Sequence, residues 1–416
     1  MRKIFKSPLF LMALTIFIDF AGFGLIIPLL PFWAEHLGAN PVGVGLILTV
    51  YALAQLIFTP VLGSLSDRYG RRPVIIASLL IEAIAFALTA LSGSLLMLLI
   101  ARFIGGVGAS NIGSAQAVVS DTTTPEKRAR GMGMIGAAIG LGFVVGPAVG
   151  GLLAPHGLAV PFWVALGVAL VNMLLVAIFL PETRKRQERA HEPRKSRNVM
   201  LAGWRLALRS PAVARLVAIN LLFTIAFTAM ETVFPLFTQH TFGWGAAQNG
   251  YIFTYVGFVI VIMQGGLVGP LVKRFGEKGV MIAGLALLAV GLALLPWSTQ
   301  SGVLLVALGI LSAGDGAATP TISTLLSFAS PEETQGETLG MAQGVGGLGR
   351  IIGPLFAGSV FAYGGPGVPF LVGAALIVAA VIVALPALPA LQHKINEESQ
   401  PTWRRNELHL DRPRTR

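Results

Sequence analysis

Twelve apolar runs, each about 20 residues long, constrain this chain more than any other feature. As a helix, such a run spans the roughly 30 Å hydrocarbon core of a bilayer. A helix also satisfies its own backbone polar groups, which lipid cannot do. The runs lie at about 9–33, 43–66, 73–92, 95–120, 132–154, 159–181, 213–239, 247–270, 279–297, 302–328, 338–363 and 367–390. They predict an all-α membrane protein with twelve transmembrane helices. The composition agrees: 54% of residues are hydrophobic and 12% charged, and the 50 glycines exceed the usual share, as membrane helices allow. The first run does not read as a cleavable signal. It is too long, lacks a small-x-small cleavage site and carries Asp19.

Basic residues set the expected orientation. With the N-terminus inside, Arg68, Arg71, Arg72, Lys127, Arg128, Arg130, Lys273, Arg274 and Lys278 all fall in cytoplasmic loops. Arg2, Lys3 and Lys6 anchor the first span on the same side, and the basic linker and C-terminal tail join them. Only Arg102 and Arg350 lie deep inside spans, Arg215 falling at the cytoplasmic start of the seventh, so the positive-inside bias is strong. Both termini are expected in the cytoplasm, and a bacterial inner membrane is the expected setting. The net charge of +11 is then a lipid-facing charge on inner loops, not a nucleic-acid surface. Cysteine is absent, which excludes disulfides, thiolate chemistry and cysteine metal sites.

The chain repeats itself at a spacing of about 206 residues. Gly63-Ser-Leu-Ser-Asp67-Arg-Tyr-Gly70-Arg-Arg72 aligns with Gly269-Pro-Leu-Val-Lys273-Arg-Phe-Gly276-Glu-Lys278. Pro125-Glu126 aligns with Pro331-Glu332, Gly146-Pro147 with Gly353-Pro354, and Pro28-Leu29 with Pro235-Leu236. These matches predict two six-helix bundles, 1–181 and 211–391, joined by a basic linker at 182–210 and followed by a tail at 392–416. In such repeats substrate binds near the midplane between the halves.

Four motifs stand on this frame. Gly133, Gly142, Gly146, Pro147, Gly150 and Gly151 sit in one helix-length apolar segment. In a soluble helix each Gly would cost about 1 kcal/mol and the Pro about 3. In a membrane the same residues permit close packing and mark a kink. Gly63, Leu65, Asp67, Arg68, Gly70, Arg71 and Arg72 form a charged loop after the second span. Asp19, Gly22, Gly24, Pro28 and Pro31 mark the first span, and Leu98, Arg102, Gly106, Gly108 and Ala109 the fourth.

Together these motifs resemble the major facilitator superfamily, and within it the drug–proton antiporters with twelve spans. The group most similar is that of the tetracycline and multidrug exporters. Gly105 stands where that family commonly has Gln. The resemblance implies alternating access by rocking of one half against the other. It implies that the segment at 133–151 is the antiporter motif and that the loop at 63–72 is a cytoplasmic latch that stabilises the outward-facing state. Asp121, Arg128 and the acidic loop around Glu332, Glu333 and Glu337 are expected to join that latch. The second-half copy has lost the pattern at Lys273 and Glu277.

Six charged residues fall well inside spans: Asp19, Glu82, Arg102, Glu231, Asp315 and Arg350. Each costs roughly 2.5–3.5 kcal/mol at a helix centre, so such residues are usually paired and functional. Asp19 and Glu231 occupy matching helices of the two halves and are expected to bind protons or substrate. Arg102 is expected to interact with Asp19, and Asp315 with Arg350. Glu82 lies on a helix that is usually peripheral in this fold and is expected to snorkel outward. Phe20, Phe23, Tyr51, Phe227, Phe234, Tyr251 and Tyr255 are candidates to line an apolar cavity suited to amphipathic molecules.

No nucleotide-binding GxxxxGK[ST] loop, HExxH helix or GxSxG elbow occurs. The chain is therefore expected to be a transporter and not an enzyme, with no cofactor beyond a proton gradient. The expected function is proton-coupled export of small amphipathic drugs by a functional monomer. The alternatives are a symporter or facilitator for a nutrient in the same superfamily, and a non-transporting membrane receptor or scaffold.

Overall fold

The computed structural model describes residues 7–183, 210–330 and 334–385. The described chain is helical: α1 (Pro8–His36), α2 (Pro41–Tyr69), α3 (Arg71–Ala90), α4 (Leu95–Gly108), α5 (Ile112–Thr122), α6 (Pro125–Leu153), α7 (Val160–Phe179), α8 (Pro211–Phe242), α9 (Ala246–Ile262), α10 (Val268–Leu294), α11 (Ser301–Ala329), α12 (Gln335–Gly364) and α13 (Val368–Ala384). Local chemistry starts several of them. Ser7, Asn40 and Ser210 each accept a backbone N–H with their side chains, and a proline opens the helix that follows.

Ten helical segments among the described residues are long and apolar enough to cross a membrane. One of them, Ala246–Trp297, is a single run of 52 residues. Drawn straight, at about 1.5 Å per residue, it would reach ~78 Å, more than twice the hydrocarbon thickness. It instead turns back at Gly276, whose φ of 72° suits a residue with no Cβ. It therefore makes two crossings. With the shorter apolar helix Val368–Ala384, the twelve expected spans are all accounted for. Gly70, the repeat partner of Gly276, has φ 113° and makes the same one-residue turn between α2 and α3. The expected linker lies outside the described residues from 184 to 209, as does the tail.

Close helix packing follows the glycines. A Cβ at Gly142, Gly146 or Gly150 would lie 2.8, 2.2 or 2.7 Å from atoms of α1, namely Phe20 Cβ, the Ala21 carbonyl oxygen and Leu29 Cδ1. The antiporter-like segment of α6 is thus chiefly packed on α1 of its own half. The second half repeats the arrangement. A Cβ at Gly349 or Gly353 of α12 would meet Thr224 or Thr228 of α8 at 2.8 or 2.2 Å. Asn220 Nδ2 also donates to the Ala342 carbonyl at 3.0 Å. Gly133 has nothing within 4 Å and takes no part in this packing.

Contacts between the halves are uneven along the membrane normal. At the end away from residues 63–72, a Cβ at Gly45 would lie 2.3 Å from the Pro354 carbonyl oxygen, and one at Gly358 2.3 Å from that of Pro41. Thr49 Oγ1 donates to the Ile351 carbonyl at 2.9 Å, also between α2 and α12. On the opposite flank Gly151 of α6 and Gly250 of α9 meet backbone to backbone, with 2.4 Å from a Gly250 Cβ to Gly151 Cα. Toward the latch end, Gly63, Gly136, Gly265, Gly340 and Gly344 face open space. The structure is therefore closed at one end and open at the latch end.

This packing predicts a contrast within α6. Gly146→Ala should destabilise the protein by about 1–3 kcal/mol through overpacking. Gly133→Ala should leave it unchanged or slightly more stable. Thermal unfolding in detergent, followed by tryptophan fluorescence, compares them. Equal midpoints would refute the α1–α6 contact as the function of these glycines.

Candidate functional site

The first half gathers its charges around α1. Asp19, Glu82 and Arg102 are 7%, 6% and 2% exposed, so none reaches bulk water freely. Their convergence follows from small residues in α4. A Cβ at Gly106 would lie 2.3 Å from the Tyr51 carbonyl oxygen, and one at Gly108 2.7 Å from the Glu82 backbone nitrogen. α4 thus sits directly on the backbones of α2 and α3 and brings Glu82 inward. The helix then breaks over Ala109–Asn111, where Ser110 leaves helical geometry. That break presents Asn111, whose Nδ2 donates to Asp19 Oδ2 at 2.9 Å.

Glu82 does not snorkel outward as its helix suggested. Its carboxyl lies beside that of Asp19, and Asp19 Oδ1 and Glu82 Oε2 are buried with no other hydrogen-bond partner, so the two are placed to share a proton. Two carboxyl groups can share a hydrogen bond only if one carries a proton. Nor do Asp19 and Arg102 form an ion pair. Arg102 lies over the Tyr51 ring, 4.3 Å from its centroid, and its electrostatic partners are Tyr51 and Glu82. Glu82 therefore stands between the two residues expected to touch. With one proton shared, two acids and one arginine sum to zero charge, the state a low-dielectric site tolerates best.

The second half holds the same complement, two acids and one arginine. Asp315 is 6% exposed and accepts from Thr319 Oγ1 at 3.1 Å. It does not pair with Arg350 as expected. Glu231 is half-buried and Arg350 exposed. Glu231 interacts electrostatically with Asp315 and Arg350, and Arg350 with Tyr51. Tyr51 of α2 thus lies between the charges of the two halves.

Aromatic rings line the first-half side. Phe23 lies 5.5 Å from Tyr51 and 5.9 Å from Phe143, and Phe20 lies 5.5 Å from Phe143. Other candidates sit elsewhere. Phe234 is buried against Phe253, the Tyr255 hydroxyl donates to the Leu305 carbonyl, and Tyr251 is 50% exposed. Phe227 is half-buried and stacks on Phe223. Phe143 was missed in the sequence; its position one residue after Gly142 in the α1-facing segment is the signal that places it.

The latch loop is organised by Arg71. Its guanidinium meets Asp67 at 2.6 Å and Asp121 at 3.2 Å, and its backbone N–H donates to Glu182 at 3.0 Å. Arg72 donates to the Ala177 carbonyl. Arg128 donates to the Ser120 carbonyl at 3.4 Å and Arg68 lies over Tyr69. The partners named here belong to the first half and to the start of the linker at Glu182. Glu332 lies outside the described residues. Glu337 makes no ion pair among them.

Two glycine-packed halves, each with two acids and one arginine inside its apolar helices, now have a counterpart in sequence. The profile described as Major Facilitator Superfamily matches residues 12–277 and 265–410. The chain belongs to the major facilitator superfamily. A tetracycline resistance protein of class C from Escherichia coli is 34% identical over 380 residues, covering 90% of this chain and 94% of that protein. Multidrug resistance protein 2 of Bacillus subtilis is 32% identical over 363 residues, covering 86% and 89%. Among solved structures, the human organic anion transporter MFSD10 (TETRAN) superposes with a TM-score of 0.69 at 26% identity, covering 90% of this chain and 98% of that one. The protein is thus a multi-pass membrane protein of a transporter superfamily, with the all-α fold expected.

Two substitutions probe the charges. Arg102→Met leaves the first-half acids without their buried counter-charge and should cost about 3–5 kcal/mol of stability. Arg102→Lys should cost less. Arg71→Gln should lower the unfolding midpoint more than Arg68→Gln, by the equivalent of about 1–2 kcal/mol, since several weak exposed pairs are lost together. Unfolding in detergent reads both, and 1 M salt should shrink the Arg71 difference.

Proposed function

We propose that this protein is a proton-coupled exporter of small amphipathic drugs that works by alternating access. The observation that carries the reading is the buried carboxyl pair Asp19–Glu82, whose unpartnered oxygens call for a proton and which lies beside the aromatic side of the central cavity. The names of the relatives, tetracycline and multidrug resistance proteins, support the substrate class. The basic loops support a cytoplasmic location for both termini and the latch, in a bacterial inner membrane. In that orientation the open end faces the cytoplasm.

The geometry suits the following cycle. Substrate enters from the latch end and settles against Phe23, Tyr51 and Phe143. The halves then rock, the far end opens, and the latch end closes. Arg71 holds its own half together throughout, while the acidic loop at Glu332 comes to face the basic loop. Protons bound at Asp19–Glu82 in one half and at Glu231 and Asp315 in the other enter as substrate leaves. Asn111, Arg102 and Thr319 hold these acids in place. One charge moving through 100 mV supplies about 2.3 kcal/mol, and each pH unit adds about 1.4. One proton thus sustains more than a tenfold substrate gradient. The chain works as a monomer, since both halves of the pathway lie within it, and no catalytic chemistry is required.

Everted vesicles loaded with acid test this reading. Addition of a tetracycline or another amphipathic drug should release protons. Asp19→Asn and Glu231→Gln should each abolish the release. Uptake of a sugar or another nutrient, with no proton movement for any drug, would replace export with a symport or facilitator function.

A further inference from the structure

We propose that Arg350 and Glu231 form a subsite for zwitterionic substrates, with Arg350 taking an anionic group such as a carboxylate or enolate and Glu231 the ammonium group. The proposal rests on the central cavity being the substrate path, as the export reading holds.

The argument begins with one face of α12. Gln343, Gly347, Arg350 and Pro354 follow the helical repeat and share a face. That face looks toward α2, because a Cβ at Gly347 would lie 2.8 Å from Leu56 Cδ1, and the Pro354 carbonyl meets Gly45. The exposed apolar residues Leu348, Ile352 and Leu355 lie on the opposite face, where lipid belongs. The exposed surface of Arg350 is therefore cavity surface. A guanidinium carries five N–H donors in a planar fork. Arg350 makes no hydrogen bond or ion pair within the described residues, although Tyr51 and Glu231 lie within electrostatic range. Arg102 differs: it is buried and covered by the Tyr51 ring.

Glu231 faces the same space from α8. It too makes no hydrogen bond within the described residues, and it is too far from Arg350 for a direct ion pair. Opposite charges that interact without touching leave both free for a ligand. A carboxylate can take the Arg350 fork in a bidentate manner. An ammonium group fits Glu231, and the apolar body of the same molecule rests on Phe23 and Tyr51. A purely cationic compound meets Glu231 but is repelled by Arg350, so a zwitterion should be preferred over either single charge.

Three probes with one ring system test this on the full chain in detergent: 2-naphthylacetate, 2-(2-naphthyl)ethylamine and 2-naphthylalanine, with Kd read from naphthyl fluorescence. Naphthylalanine should bind at least about tenfold more tightly than either single-charge analogue. Arg350→Gln should weaken naphthylalanine and naphthylacetate about tenfold and leave naphthylethylamine unchanged or tighter. Arg350→Lys should restore part of the anion affinity. Glu231→Gln should show the mirror pattern, weakening the two ammonium compounds and sparing naphthylacetate, and it stands as the test if Arg350→Gln does not fold. Equal effects of each substitution on all three probes, or no naphthylalanine binding to the unaltered chain, would overturn the subsite. Charge selectivity that persists while drug-driven proton release fails would reject the export reading and leave the subsite standing.

Discussion

Ionisable side chains in the low dielectric of a bilayer are the constraint around which the remaining structure is arranged. Each half answers it with the same inventory, two acids and one arginine. In the first half the charges are buried and held by Asn111, by Tyr51 and by the close approach of two carboxyls. In the second half only Asp315 is fully enclosed, while Glu231 and Arg350 face the cavity. A matched charge count with unmatched burial gives the halves different tasks. In the proposed reading, one keeps a proton away from water and the other presents charge where a ligand can reach it.

Small residues make that arrangement possible. Side chains as large as Glu82 and Arg102 reach each other's vicinity only because α4 rests on neighbouring backbones through Gly106 and Gly108. The same device joins α6 to α1 and α12 to α8. Without a hydrophobic driving force between helices in lipid, such close van der Waals contact is what holds each half together. Between the halves it operates only away from the latch end, so the seam is tight at one end and parted at the other.

Much of the fold was legible in the sequence because the bilayer imposes a length on every span and the repeat fixes their order. Asp19, Arg102, Glu231, Asp315 and Arg350 were legible as site candidates for the same reason, since a charge inside an apolar run stands out. Their partners were not. Hydropathy says that Glu82 is inside a span but not which way its helix is rotated, and Gly108, which draws α3 close, lies in a different helix. The expected Asp315–Arg350 pair failed on the same point: sequence separation does not give the facing of two helices that meet across a bundle. The latch residues were legible as a loop, but that Arg71 joins Asp67, Asp121 and Glu182 depends on three segments meeting in space.

The turns at Gly70 and Gly276 carry a mechanical consequence. Each connects two long helices through a single left-handed residue, leaving no slack between them. Helices joined so tightly cannot change their separation at that end; α2 must carry α3 with it, and α9 with the start of α10 must carry the rest of α10. The freedom needed to rock one half against the other therefore has to reside elsewhere, in the proline-containing helices that meet across the seam. A glycine that makes a short turn thereby decides which parts of the protein move as one lever.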